Sequence, residues 1–304
     1  MSLLLAAGSG DAWRWVPHPE VWVLVVGMVG LYVYAARVIG PKAVPGDERP
    51  VSRQQLAWFV IGMALLWVAA DWPVHDIGEK YLYLVHMSQH LVLTLVMPPA
   101  LLLATPEWLA RLILGRGRVD RWVHQMARPI PATVLFNGLV LLSHWQSVVN
   151  LSSENGLFHY GMHTALVLSA FLLWIPVCGP LPELRIPLPA QMIHLFVTSI
   201  IPTVPGAWLV LADGAVYSAY DIPTRLFDIS VTQDQQAAGL IMKLVGGSWL
   251  WLLITIIFFR WAARHAEADR AGVAPSERDV LTWEQVRQEL ERHPAPVERP
   301  VPDS

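Results

Sequence analysis

The sequence predicts an all-α polytopic membrane protein: a seven-transmembrane-helix bundle, N-terminus outside and C-terminus cytoplasmic. Three observations carry that reading. Of the 304 residues, 54% are hydrophobic and only 15% charged, whereas soluble domains carry about a quarter charged residues. Apolar stretches long enough to cross hydrocarbon, about 18–25 residues each, recur along the chain. Lysine and arginine collect in alternate connections between those stretches, the pattern that sets membrane orientation.

The spans fall at roughly 20–38, 54–71, 80–104, 131–150, 157–178, 188–212 and 236–260. Residues 1–19 precede them as an extracellular segment. Their apolar run is too short, and their start too poor in basic residues, for a cleavable signal peptide, so the first span reads as a retained anchor. The connection after span one carries Arg37, Lys42, Arg49 and Arg53, and that after span three Arg111, Arg116, Arg118, Arg121 and Arg128. Arg185 follows span five, and Arg260 and Arg264 open the tail. Connections of the other parity hold mainly acids: Asp71, Asp76, Glu79, Glu154, Asp213, Asp221 and Asp228. Arg14, Lys80, Arg225 and Lys243 depart from the pattern.

Within the membrane domain 20–262, a segment near 106–128 mixes Trp, Leu and Arg and should lie along the inner surface. His124 there faces solvent or headgroups. Residues 263–304 form a cytoplasmic tail, with Thr282 and Gln285 arranged as the capping box of a short helix before a Pro-rich end. The single cysteine, Cys178, leaves no disulfide framework or C-x-x-C site. Basic clusters suited to nucleic acid are absent from the candidate folded region.

Histidines carry the functional signal. A helix rises about 1.5 Å per residue, which places His86 and His90 roughly 9 and 15 Å below the outer surface. On the same scale His144 lies about 9 Å deep, His159 and His163 roughly 5 and 10 Å, and Met242 about 12 Å. His86/His90 and His159/His163 are each spaced i,i+4, on one helix face. Imidazoles from three spans therefore share one outer slab; His194 lies outside it. Ionisable groups inside membranes face the bundle interior and mark function. Interhelical hydrogen bonding is the structural alternative. Imidazole with thioether suits Cu(I), which makes His86, His90, His144, His159, His163 and Met242 candidate ligands, with Met87 and Met162 close by. Asp234, Gln235 and Gln236 at the mouth of span seven could cap that helix or orient the imidazoles from behind. His75, on the outer loop "DWPVHDIGE", could receive an incoming ion.

Lys243 sits inside span seven, where a central charge costs about 2.5–3.5 kcal/mol. A retinal protein would need a carboxylate facing it, and span three has none below Glu79. Prolines in "VMPPALL" and "IIPTVPGAW" should break spans three and six in mid-membrane. Zinc hydrolysis is disfavoured because neither histidine pair encloses a carboxylate.

Four ordered stretches, "VHMSQHLVLTLVMPPALLLATP", "SHW" at 143–145, "HYGMH" at 159–163 and "DQQAAGLIM" at 234–242, resemble the polytopic CtaG family of cytochrome c oxidase assembly factors, distinct from the single-span copper chaperone of that name. The resemblance covers about residues 54–262. It implies seven transmembrane helices, multi-pass location in the plasma membrane, and copper delivery to an oxidase subunit at the outer face. The family's histidines map onto His75, His86, His90, His144, His159 and His163. Lys243 and Val245 stand where many members have an aromatic residue and a proline. The leading expectation is a non-enzymatic assembly factor holding copper, as Cu(I), for a cytochrome c oxidase subunit, supplied by an extracytoplasmic copper donor. A membrane redox protein with noncovalent haem and a copper transporter are the alternatives.

Overall fold

The computed structural model describes residues 12–46 and 48–270, and all regular structure among them is helical. The expected tail helix at Thr282, and most of segment 1–19, lie outside the described residues. The helices are α1 (Pro19–Ala43), α2 (Arg53–Ala70), α3 (Val74–Lys80), α4 (Tyr83–Ala104), α5 (Glu107–Leu114), α6 (Arg118–Met126), α7 (Pro129–Ser143), α8 (Gln146–Glu154), α9 (Gly156–Cys178), α10 (Leu188–Leu211) and α11 (Val231–Glu267). Six segments are long and apolar enough to cross a membrane, and a seventh if α6 and α7, bent by 82°, count as one. By contacts the chain divides into Met1–Ile257 and Phe258–Ser304. In the second unit Trp261 packs against Phe258 and His265, with ring centroids 6.0 and 4.5 Å away.

Helix α4 is the centre. Its apolar stretch is 61% buried, against 17–39% for the other candidate spans, and it packs on α2, α9 and α11. The expected break at its prolines does not occur: α4 runs through Pro98 and Pro99 after a π-turn at Val92–Val96. A proline at position i frees the carbonyl of residue i−4, here those of Thr94 and Leu95. Each is met by an indole: Trp174 of α9 donates to the Thr94 oxygen (2.9 Å) and Trp249 of α11 to that of Leu95 (3.1 Å). Neighbouring helices thus satisfy the carbonyls that would otherwise be orphaned in hydrocarbon. The prolines tie α4 to its neighbours without kinking it apart. In α10 the expected break is present, at Ile201–Pro202 between two helical halves.

Span four is shorter than the expected 131–150. Helix α7 ends at Ser143, His144 takes a non-helical conformation (φ −94°, ψ 1°), and α8 restarts at Gln146. The region 106–128 is two short helices parted by Gly115 at φ +63°, a conformation glycine adopts without strain. Arg128, extended as the residue before a proline commonly is, turns the chain into α7.

Connections group at two ends. At one, Trp108 donates to the Pro50 carbonyl (2.8 Å) and Arg111 pairs with Glu183 (2.9 Å). At the other, Tyr217 donates to the His144 carbonyl (2.8 Å) and Tyr220 to that of Gly78 (3.1 Å). Asp71, read as a loop acid, is buried at this second end, accepting from Trp22 (2.8 Å), Trp67 (2.7 Å) and its neighbour's amide (2.8 Å).

Candidate metal centre

The site is assembled at the second end, around the first turns of α4. The free N–H groups that open a helix need partners, and for α4 they come from the last span. The carboxylate of Asp234 accepts the amides of Tyr83 (2.7 Å) and Leu84 (2.9 Å). Short α3 folds back along α4 through Gly78, where a Cβ would meet the His86 amide nitrogen at 3.0 Å. This fixes His86 and His90, one turn apart, facing His163 of α9. Among the described residues these three form a group whose ring nitrogens can all lie within 4.8 Å of one another. Ring centroids are 4.6 Å apart for His86–His90, 4.5 Å for His90–His163 and 5.3 Å for His86–His163.

The two Nε2 atoms of His86 and His90 are 2.9 Å apart. A neutral imidazole carries one N–H and one lone pair, so one ring donates to the other. The Nδ1 of His86 is buried without a hydrogen-bond partner, a vacancy that native interiors rarely tolerate. Three converging imidazoles, one with an uncommitted nitrogen, fit a borderline-to-soft cation as ligand atoms.

Above the trio, His159 packs on His163 (centroids 4.2 Å) and forms an ion pair with Glu79. Glu79 also lies 3.5 Å from the Nε2 of His75. His75 does not lie on an exposed loop. It belongs to α3, is 6% exposed, and receives a hydrogen bond at Nδ1 from Gln89 (3.2 Å). The ring of His18, 5.1 Å from that of His75, meets Asp76 at 2.7 Å and Glu20 at 3.2 Å. Burial lowers the affinity of His18 for a proton, but those two carboxylates outweigh it and leave its pKa above the ordinary value. Imidazoles therefore continue from the rim of α1 through His75 and His159 to the trio.

Below the trio stands His144. Its Nδ1 is 2.7 Å from the Val140 carbonyl, which can only accept, so the neutral ring presents the Nε2 lone pair to the Met87 sulfur at 3.3 Å. Two lone-pair bearers thus face one another with no hydrogen between them. A polar chamber of about 30 Å³ touches His86, His90, His144, His159, Met162 and His163. A more apolar one of about 60 Å³ touches Met87, His90, His144 and Met242. Met242 reaches that wall from a π-turn in α11 at Ile241–Gly246. These volumes admit an ion and a few waters.

The remaining expectations sort differently. Among the described residues Asp234, Gln235 and Gln236 make no hydrogen bond to an imidazole, and Asp234 caps α4 instead of its own helix. Gln235 holds the connection before α11, accepting from the amides of Val216 (2.8 Å) and Tyr217 (3.2 Å), and Gln236 donates to the Ala212 carbonyl (3.1 Å). Their reach is to backbone because the connection folds over the site and brings its own unpaired amides. His194 is structural, its Nε2 2.9 Å from the Leu173 carbonyl and its Nδ1 3.0 Å from Thr133. Sequence reasoning passed over Glu79 and the aromatic wall of Tyr83, Tyr217 and Tyr220, whose rings meet at 4.8 and 5.0 Å. The i,i+4 spacing of His75 and Glu79 was the available signal for the former. Burial pushes the Tyr217 phenol up to about 12.

A family model described as cytochrome c oxidase caa3 assembly factor (Caa3_CtaG) matches residues 7–264. No curated protein and no solved structure matches the chain.

Proposed function

Since the chain belongs to the Caa3_CtaG family of cytochrome c oxidase caa3 assembly factors, we propose that it binds copper, as Cu(I), at His86, His90 and His163 and passes it to an oxidase subunit. The observation that carries this reading is the convergence of those three imidazoles within 4.8 Å. The His144 and Met87 pair below adds a nitrogen and a thioether, donors that favour Cu(I). Copper is preferred to haem because the rings pack directly on one another at 4.5–5.3 Å, a cluster for an ion and not a slot for a macrocycle. Delivery is preferred to transport because the imidazoles gather at one end, while toward the other His194 and His124 are already hydrogen-bonded, to the Leu173 and Asp120 carbonyls.

The role is non-catalytic: the protein holds and releases cargo. The alternation of Lys and Arg supports an N-terminus outside, a C-terminus in the cytoplasm and a site at the outer face of the plasma membrane. An extracytoplasmic copper donor would then load it. Glu79 and His75 stand on the loading side, holding His159 in place above the trio. Metal analysis of the purified full-length protein after Cu(I) loading tests the reading. Wild type should retain copper that the His86→Ala/His90→Ala variant does not, and equal content in both would overturn it.

A further inference from the structure

We propose that the outward face of α11 around Lys243 docks a transmembrane helix that carries a carboxylate. Lys243 lies nine residues beyond Asp234, roughly 13 Å along the helix, and seventeen before Arg260, about 25 Å. It is exposed, as are Leu244 and Val245 beside it. They lie within the π-turn Ile241–Gly246, between Met242 and Gly246, which are buried.

Among the described residues Lys243 makes no hydrogen bond or ion pair. The nearest acid on its own helix, Asp234, is buried with both oxygens engaged by Tyr83 and Leu84. An unpaired cation on an apolar face at this depth calls for an anion from another molecule. A second copy docked by the same face cannot supply it, because the exposed neighbours Leu240, Leu244, Val245, Ser248 and Trp251 include no acid. The occupant is therefore a different helix with Asp or Glu at matching depth. This surface rests on the lysine alone and is independent of what the histidines bind.

The experiment places the full-length protein in phosphatidylcholine vesicles with a labelled Leu/Ala transmembrane peptide bearing one Glu about 13 Å from its end, and measures association by energy transfer. The Glu peptide should associate about tenfold more tightly than its Leu counterpart. Lys243→Gln should abolish that preference and Lys243→Arg should keep it, with helix content checked by circular dichroism in both. Equal association of Glu and Leu peptides with the wild type, as expected of an ammonium that only reaches lipid phosphate, would overturn the proposal. So would an unchanged preference in Lys243→Gln.

Discussion

The carboxylate of Asp234 in α11 caps α4 by accepting the amide of Tyr83 at 2.7 Å, across 151 residues of sequence. A second oxygen takes the amide of Leu84 at 2.9 Å. The last span therefore sets where the helix of His86 and His90 begins. Replacing Asp234 by Ala removes two hydrogen bonds to a charged acceptor and leaves buried donors, at a cost of about 1–3 kcal/mol each where unsatisfied. Asp234→Asn retains one acceptor oxygen and should lose about half as much. Thermal unfolding in detergent should rank the three proteins wild type, Asn, Ala, and copper content should fall in the same order. An Ala variant as stable as wild type would mean that water replaces the carboxylate.

The indole of Trp174 and the carbonyl of Thr94 form a second dependency, created by Pro98. Trp174→Phe keeps most of the ring but orphans the carbonyl and should destabilise by about 1–3 kcal/mol. Pro98→Ala returns an amide to the helix, so the double variant should recover part of that loss. A double-mutant cycle measures the coupling directly. Additive effects would show that the carbonyl and the indole do not depend on the proline.

How far the fold could be read from residues depends on the range of the force involved. Apolar runs such as that of α9 translate into helices because length and composition suffice. The i,i+4 spacing put His86 and His90 on one face for the same local reason. What stayed hidden was tertiary. Nothing near "VMPPALL" says that Trp174 and Trp249 will meet its freed carbonyls, so a broken helix was expected where α4 continues. Nothing near Asp234 says that its amide partners lie at Tyr83. His75 looked like a loop residue because α3 is too short to stand out by periodicity, and Glu79 counted only as an outer acid at the edge of span three although its carboxylate reaches His159.

His18 gives the protein a pH dependence of defined sign. Burial opposes its charge, but Asp76 and Glu20 raise its pKa above the ordinary value of 6.5. A group whose pKa is raised on folding stabilises the folded state fully below its unfolded pKa, and that contribution is lost as pH climbs through the folded value. The anchoring of the start of α1 to α3 should therefore weaken above neutrality. Hydrogen exchange of amides at the start of α1 should be slower at pH 6 than at pH 8 after correction for intrinsic rates. The difference should vanish in His18→Gln. Protection unaffected by either change would remove His18 from the anchoring contacts.

The sharpest division lies within the histidines themselves. His86, His90 and His163 converge on one point, whereas His159 is held by Glu79 and His144 by the Val140 carbonyl. If copper is bound by the trio, His163→Ala should lose it outright. Glu79→Gln acts only by loosening the orientation of His159 above the trio and should weaken Cu(I) affinity by about 10–100-fold, the usual effect of removing a group that orients a ligand. His144→Ala should fall in the same range, because its Nε2 faces Met87 and not the trio. Competition titrations with a Cu(I) chelator on the three full-length variants read out the order. Should His144→Ala abolish binding while His163→Ala leaves it intact, the copper would belong to the thioether chamber below and not to the three imidazoles.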